Sequence, residues 1–241
     1  MKQLVCATLV VVAAGCAHHE APPPAKAAPV ARVEPAPRRE EPEEMKVAGT
    51  LGALNEDEIA GPFQRRWEDI TRCYDDATAG KQYLGGKIEV KVHVGKTGDP
   101  TSAFVVASTF GNYDAERCVL GITRGLHFSR PHGGPEAEFT YPIEFRARRP
   151  VTAWDEARVS PSVARHRKDV HECKTHLPNG LPPQLSMTMY VAPGGKIASA
   201  GLAADAPLDD AFAACLVGKI KLWRLDDPLG KIAKATVGVA E

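Results

Sequence analysis

The stretch DITRCYDD, Asp69–Asp76, returns a hundred positions later as DVHECKTH, Asp169–His176. Both run Asp, a β-branched residue, two polar residues, then cysteine. A chain that sets the same cysteine in the same local frame twice reads as two copies of one unit, and both copies must reach the same fold. The surrounding elements repeat in step. In the first copy Asn55 and Glu58 have capping-box spacing, and Phe63, Trp67, Ile70 and Tyr74 follow with helical spacing. Pro62 sits inside that pattern, where it kinks or restarts a helix. Lys87–Val94 then alternates, with Ile88, Val90, Val92 and Val94 on one face and polar residues on a wet one. A GKTGDP turn leads to a second strand over Thr101–Phe110 and a second helix carrying Cys118. A third strand places Phe139, Tyr141, Ile143 and Phe145 on one face, and Pro142 puts it at a sheet edge or a bulge.

The second copy follows the same order. Ser160 and Pro161 suit a helix start, with Val163, Val170 and Cys173 along the helix. Leu185, Met187, Met189 and Val191 alternate, APGGK turns the chain, and Ala233, Ala235, Val237 and Val239 close it. Cys173 matches Cys73 at an offset of 100, whereas Gly195 and Cys215 match Gly98 and Cys118 at 97. The three lost residues fall in the loop before the first strand, where a duplicated unit tolerates deletion. The expected fold is α+β: tandem domains over 48–150 and 151–241, each helix, strand, strand, helix, strand with a three-stranded antiparallel sheet.

The N-terminus sets the expected compartment. Lys2, the apolar run Leu4–Ala14 and the small residues before Cys16 form a secretory signal too short to span a bilayer with ordinary flanks. Ala13, Ala14 and Gly15 before Cys16 resemble the bacterial lipoprotein signal, which implies a signal peptide over 1–15 and lipidation of Cys16. Ala17 after the cysteine implies, by the enteric sorting pattern, an outer-membrane anchor facing the periplasm. Residues 16–47 are rich in Pro, Ala and charge and nearly empty of large apolar side chains, so they read as a disordered spacer. About thirty residues at about 3.1 Å each reach on the order of 90 Å.

Cys6 leaves with the signal, and four cysteines remain beside Cys16, one pair per copy: Cys73 with Cys118 and Cys173 with Cys215, separated by 45 and 42 positions. Both members of each pair fall on expected helices, and two helices on one face of a small sheet bring such side chains together. In an oxidising compartment the expected outcome is one disulfide per copy. The alternatives are buried free thiols, or a metal held by His166, His171, Cys173 and His176. Residues 171 and 173 do not share a helix face, and the first copy has no equivalent cluster.

The segments GTLGALNEDEI, RRW with CY, GKIEVKVHV and RPHGG with YPIEF resemble the C-terminal domain of the AgmX/PglI gliding-motility proteins, a family similar in fold to the periplasmic C-terminal domain of TonB. The likeness covers Val47–Arg148, and more weakly Val163–Val239 through Cys173, Gly195, Cys215 and Trp223. The family's Trp after the second cysteine is Leu126 in the first copy and is kept as Trp223 in the second, which implies a repacked first core. The resemblance implies two helices on a three-stranded sheet and partner binding by strand addition at a sheet edge. The candidate edge is the strand of Phe139, Tyr141, Ile143 and Phe145.

Lys and Arg number 30 and so do Asp and Glu, so the net charge of zero gives no electrostatic footprint for nucleic acid. Redox Cys-x-x-Cys, nucleophile-elbow and His-Glu-x-x-His patterns are all missing from the sequence. The expectation is a non-enzymatic, cofactor-free, metal-free lipoprotein that serves as an interaction or adaptor module of an envelope or gliding-motility-type complex. Its partners would be envelope proteins, and it would meet the membrane through its lipid only. The rivals are a structural envelope lipoprotein and a metal-handling periplasmic protein.

Overall fold

A computed structural model describes residues 52–177 and 180–239. The lipidation residue Cys16, the signal and all of the spacer lie outside the described residues. The fold is mixed α+β, with one three-stranded and one four-stranded sheet.

Helices α1 (Glu56–Arg65) and α2 (Trp67–Thr78) open the first copy. Asn55 caps α1 by accepting from the Glu58 amide, and Glu58 reaches back to the Asn55 amide, so two orphan donors are met reciprocally. Ile59 and Phe63 turn into the core and are fully buried. The break falls at Arg66, one turn after Pro62, and Arg66 donates there to Asp69 at 2.6 Å. Strands β1 (Gly86–Val94) and β2 (Pro100–Ser108), helix α3 (Tyr113–Arg124) and β3 (Ala137–Phe145) follow. The sheet order is β2-β1-β3, antiparallel throughout. The apolar side chains of β1 are all buried, and Lys87, Glu89, Lys91 and His93 are half-exposed on its other face.

The second copy comprises β4 (Thr152–Ala153), α4 (Glu156–Ala164), α5 (Arg167–Cys173), β5 (Ser186–Ala192), β6 (Lys196–Ala203), α6 (Asp210–Ile220) and β7 (Ala233–Gly238). Two details repeat the first copy closely. The break between α4 and α5 falls at His166, whose φ and ψ of −106° and 15° match the −109° and 15° of Arg66. Phe128 donates to the Gly98 carbonyl at 2.8 Å, and Leu225 donates to the Gly195 carbonyl at 2.9 Å. Both glycines have positive φ and lie so close to the partner backbone that a side chain there would collide with it.

Two expectations are corrected. The second copy's first helix does not start at Ser160 and Pro161: Asp155 is the cap, accepting from the Arg158 amide, and Pro161 lies inside α4 as Pro62 lies inside α1. An aspartate one turn upstream of Ser160 supplies the better-placed acceptor, and Ser160 turns its hydroxyl back onto the Glu156 carbonyl. The second sheet is also not a three-stranded antiparallel copy of the first. Its order is β4-β7-β5-β6, and β4 runs parallel to β7. The segment joining the copies makes that extra strand, with the Trp154 amide donating to the Lys234 carbonyl at 2.8 Å.

Strands β5 and β6 of the second sheet are buried on both faces. Leu185, Met187, Met189 and Val191 fill its own core with Phe212, Leu216 and Trp223. Thr188 and Tyr190 point the other way and are buried too: the end of β2 lies across Thr188 through Ser108, and Tyr83 and Gly85, just before β1, lie across Tyr190. Tyr190 and Ala203 consequently belong to the first copy's core cluster.

Candidate functional site

Cys73 on α2 is bonded to Cys118 on α3, and Cys173 on α5 to Cys215 on α6, with Cα–Cα distances of 5.8 and 5.7 Å. Each bond ties the helical layer across one sheet. Cys173, fully buried and in a disulfide, has no thiolate to give a metal. His166 instead stacks on Trp223 with ring centroids 4.5 Å apart, and the Trp223 indole donates to Asp169 at 2.7 Å. The Asp of the repeated motif thus has a different task in each copy. Asp69 binds Arg66 and Arg72, whereas Asp169 receives Trp223 and Lys219. Among the described residues no group of His, Cys, Asp and Glu has metal-binding geometry.

The β3 edge is built as follows. The Lys87 carbonyl accepts from the Thr109 amide at 2.8 Å, on the β2 side of β1. Main-chain direction alternates along a strand, so Ile88, Val90 and Val92 bond toward β3 and face Ile143, Tyr141 and Phe139. The main-chain groups of Glu138, Thr140, Pro142 and Glu144 therefore turn outward. Pro142 opposes Glu89, where its missing donor is not needed by β1. The side chains of Phe139, Ile143 and Phe145 are buried, and Tyr141 stacks on Phe63 at 3.9 Å. The groups that β3 turns outward are therefore the main chain of Glu138, Thr140 and Glu144, and not the four apolar side chains of the expected edge. Trp67 lies beside it, 43% exposed and stacked on Phe145 at 6.4 Å.

The residues that join the two copies were not foreseen from sequence. The Tyr190 hydroxyl donates to the Gly85 carbonyl at 2.7 Å and accepts from the Gly85 amide at 3.1 Å. Burial pushes this phenol up to about 12, so it stays a neutral donor. Lys234 also donates to the Gly85 carbonyl at 2.7 Å, and desolvation lowers its pKa. Asn112 caps α3 through its oxygen while its amide nitrogen donates to Ser199, and Ser199 donates to the Gly111 carbonyl at 2.7 Å. Thr188 donates to the Ser108 carbonyl, and the Ala204 amide to the Val105 carbonyl. Glu116, 2% exposed, accepts from Ser108, Gly111 and Leu202. Burial pushes its carboxyl up to about 7 against the opposing pull of those donors.

Tyr190→Phe should cost about 2 kcal/mol. It leaves the Gly85 amide buried without its acceptor, whereas the carbonyl keeps Lys234. Urea unfolding of the variant beside wild type reads this directly, and a change under about 0.5 kcal/mol would contradict the bonding described.

The chain matches no family model, no curated protein and no solved structure. The class defined by fold and site is a mixed α+β protein tied by two disulfides, with β3 at an outer edge of the three-stranded sheet and the second sheet docked on the first copy.

Proposed function

We propose that the chain is a non-enzymatic lipoprotein, anchored to the outer membrane through Cys16 and facing the periplasm. In this reading its TonB-C-like tandem binds an extended segment of an envelope protein at the outer edge of β3. The supporting observation is the contrast between the two copies. In the second copy an extended segment, β4, already adds to β7, the strand equivalent to β3. In the first copy the corresponding residue Ala53 pairs with His132 in the loop before β3, so β3 keeps its outer edge. Trp67 offers an exposed aromatic beside that edge for an apolar side chain of the added strand. Among the described residues no helix is long and apolar enough to cross a membrane.

A structural role fits the second copy better than a second binding role. One face of its sheet covers the first copy through Thr188 and Tyr190, and β4 occupies part of its outer edge. The reading is therefore one binding edge with a supporting second copy, and not two edges acting by avidity.

Thr140→Pro tests the edge. It removes one outward donor while leaving the β1 pairing intact, because Thr140 opposes Lys91 at a position that does not bond to β1. Envelope proteins retained by the full chain should fall at least about tenfold, with the unfolding free energy within about 1 kcal/mol of wild type. Equal retention by the variant would remove strand addition as the mode of binding.

A further inference from the structure

Helix α3 carries one carboxylate into the junction, and its two oxygens divide between the copies. Glu116 Oε1 accepts from the Ser108 hydroxyl at 2.7 Å and the Gly111 amide at 3.2 Å, both in the first copy. Oε2 accepts from the Leu202 amide at 3.2 Å, in the second. Above it runs a groove, open on one side, walled by Val105 and Leu120 from one copy and Leu202, Leu208 and Ala213 from the other. The charged and titratable groups facing this space are Tyr113, Arg117 and Arg124 on α3 and Asp210 on α6, and Tyr190 on β5 lies within electrostatic reach of Glu116 outside the groove. Strands β2 and β6 bring none there. Helix α2 meets α3 through the Cys73–Cys118 bond, two residues and thus about 200° around the helix from Glu116. None of these cations forms an ion pair with Glu116, so its charge is balanced by hydrogen-bond donors alone.

We propose that Glu116 is a proton-operated latch between the two copies. With its proton on, the α3–β6 contact stays shut; with the proton off, the carboxylate draws water from the groove and the contact loosens. The physical reason is the difference in hydration. A buried carboxyl without a cation is held more easily as the acid; the Ser108 hydroxyl, which donates to the ionised group, must turn for its oxygen to accept the acid's proton. In an opened junction the same group is solvated and ionises in the ordinary carboxylate range. The shut form therefore binds the proton more tightly than the open one. Its advantage is complete below the ordinary carboxylate pKa of 4.5 and is lost as pH rises toward about 7. Above that value both forms are ionised and no further change follows. The latch operates whatever partner the β3 edge takes.

Amide hydrogen exchange on the full chain, followed residue by residue and corrected for intrinsic rate, tests it. Between about pH 5.5 and about pH 8 the open population at Gly111 and Leu202 should rise on the order of tenfold. The amides of Val90 and Met189, at the sheet centres, should not follow. In Glu116→Gln, which cannot ionise, the rise should vanish. An equal rise in that variant, or none in wild type, overturns the latch. If the variant does not fold, titration of the Glu116 carboxyl carbon in wild type decides. A midpoint near neutrality supports the latch, and one at the ordinary 4.5 sinks it.

Discussion

Replacing Cys173 and Cys215 together by alanine is expected to lower the unfolding free energy by about 4 kcal/mol. The bond closes a loop of sequence separation 42, and the chain-entropy argument assigns about 4 kcal/mol to a loop of that length. Cys173 is fully buried, so alanine there also leaves a small void, which adds about 1 kcal/mol at most. Against a total of about 5–15 kcal/mol for a domain, this is a large fraction. The Cys73–Cys118 bond, with separation 45, carries nearly the same entropic share. Loss of either is expected to appear as one transition, not two. Unfolding the second copy would strip the cover from Ser108, Gly111 and Glu116, so neither copy opens alone without exposing buried polar groups of the other. Urea unfolding separates the possibilities, with tryptophan emission dominated by Trp154 and Trp223 in the second copy and far-ultraviolet dichroism reporting both. A loss under about 1 kcal/mol, or two resolved transitions, would contradict this account.

Gly201→Ala is expected to cost about 3 kcal/mol, although the usual sign of such a change is the opposite. A glycine inside a strand weakens it, and alanine at an unstrained position stabilises by about 0.4–1 kcal/mol. Gly201 lies in β6 opposite Thr188, and a β-carbon there would fall on the carboxyl group of Glu116. A carboxylate at the end of a flexible side chain can usually swing aside. This one cannot move without leaving Ser108, Gly111 and Leu202, three buried donors that each cost about 1–3 kcal/mol when orphaned. The decisive check is a double-mutant cycle with Glu116→Ala. With the carboxylate gone, Gly201→Ala should lose most of its penalty, and simple additivity would show that the two residues do not collide.

Much of each copy was legible from local pattern. The alternation of Ile88, Val90, Val92 and Val94 gave the buried face of β1, and the same rule held for Leu185, Met187, Met189 and Val191. The Asn55 capping box is present as its spacing suggested. Other signals pointed the wrong way because a competing residue won. Ser160 and Pro161 looked like a helix start until Asp155 supplied a cap one turn earlier. Glu116 gave no signal in its local pattern. An acidic residue in a helix's first turn is ordinarily a solvated complement to the helix dipole, and here it is 2% exposed. The one available hint was its counterpart at the offset of 97, Ala213, which showed that the carboxylate is not part of the repeated pattern.

The amino-acid sequence by itself determined the repeated helix, strand, strand, helix, strand order, the core face of β1, β3, β5 and β7, and the pairing expected of the four cysteines. These follow from periods of two and 3.6 residues and from the repetition of one unit, all readable over short windows. Only the tertiary structure decided that Thr188 and Tyr190 are buried, that β4 joins β7 and that β3 keeps an open edge. Those outcomes rest on contacts such as Tyr190 with Gly85, 105 positions apart, and Leu202 with Glu116, 86 apart. No local periodicity encodes them, because they depend on how two finished sheets fit against each other and which polar groups that fit leaves in need of a partner.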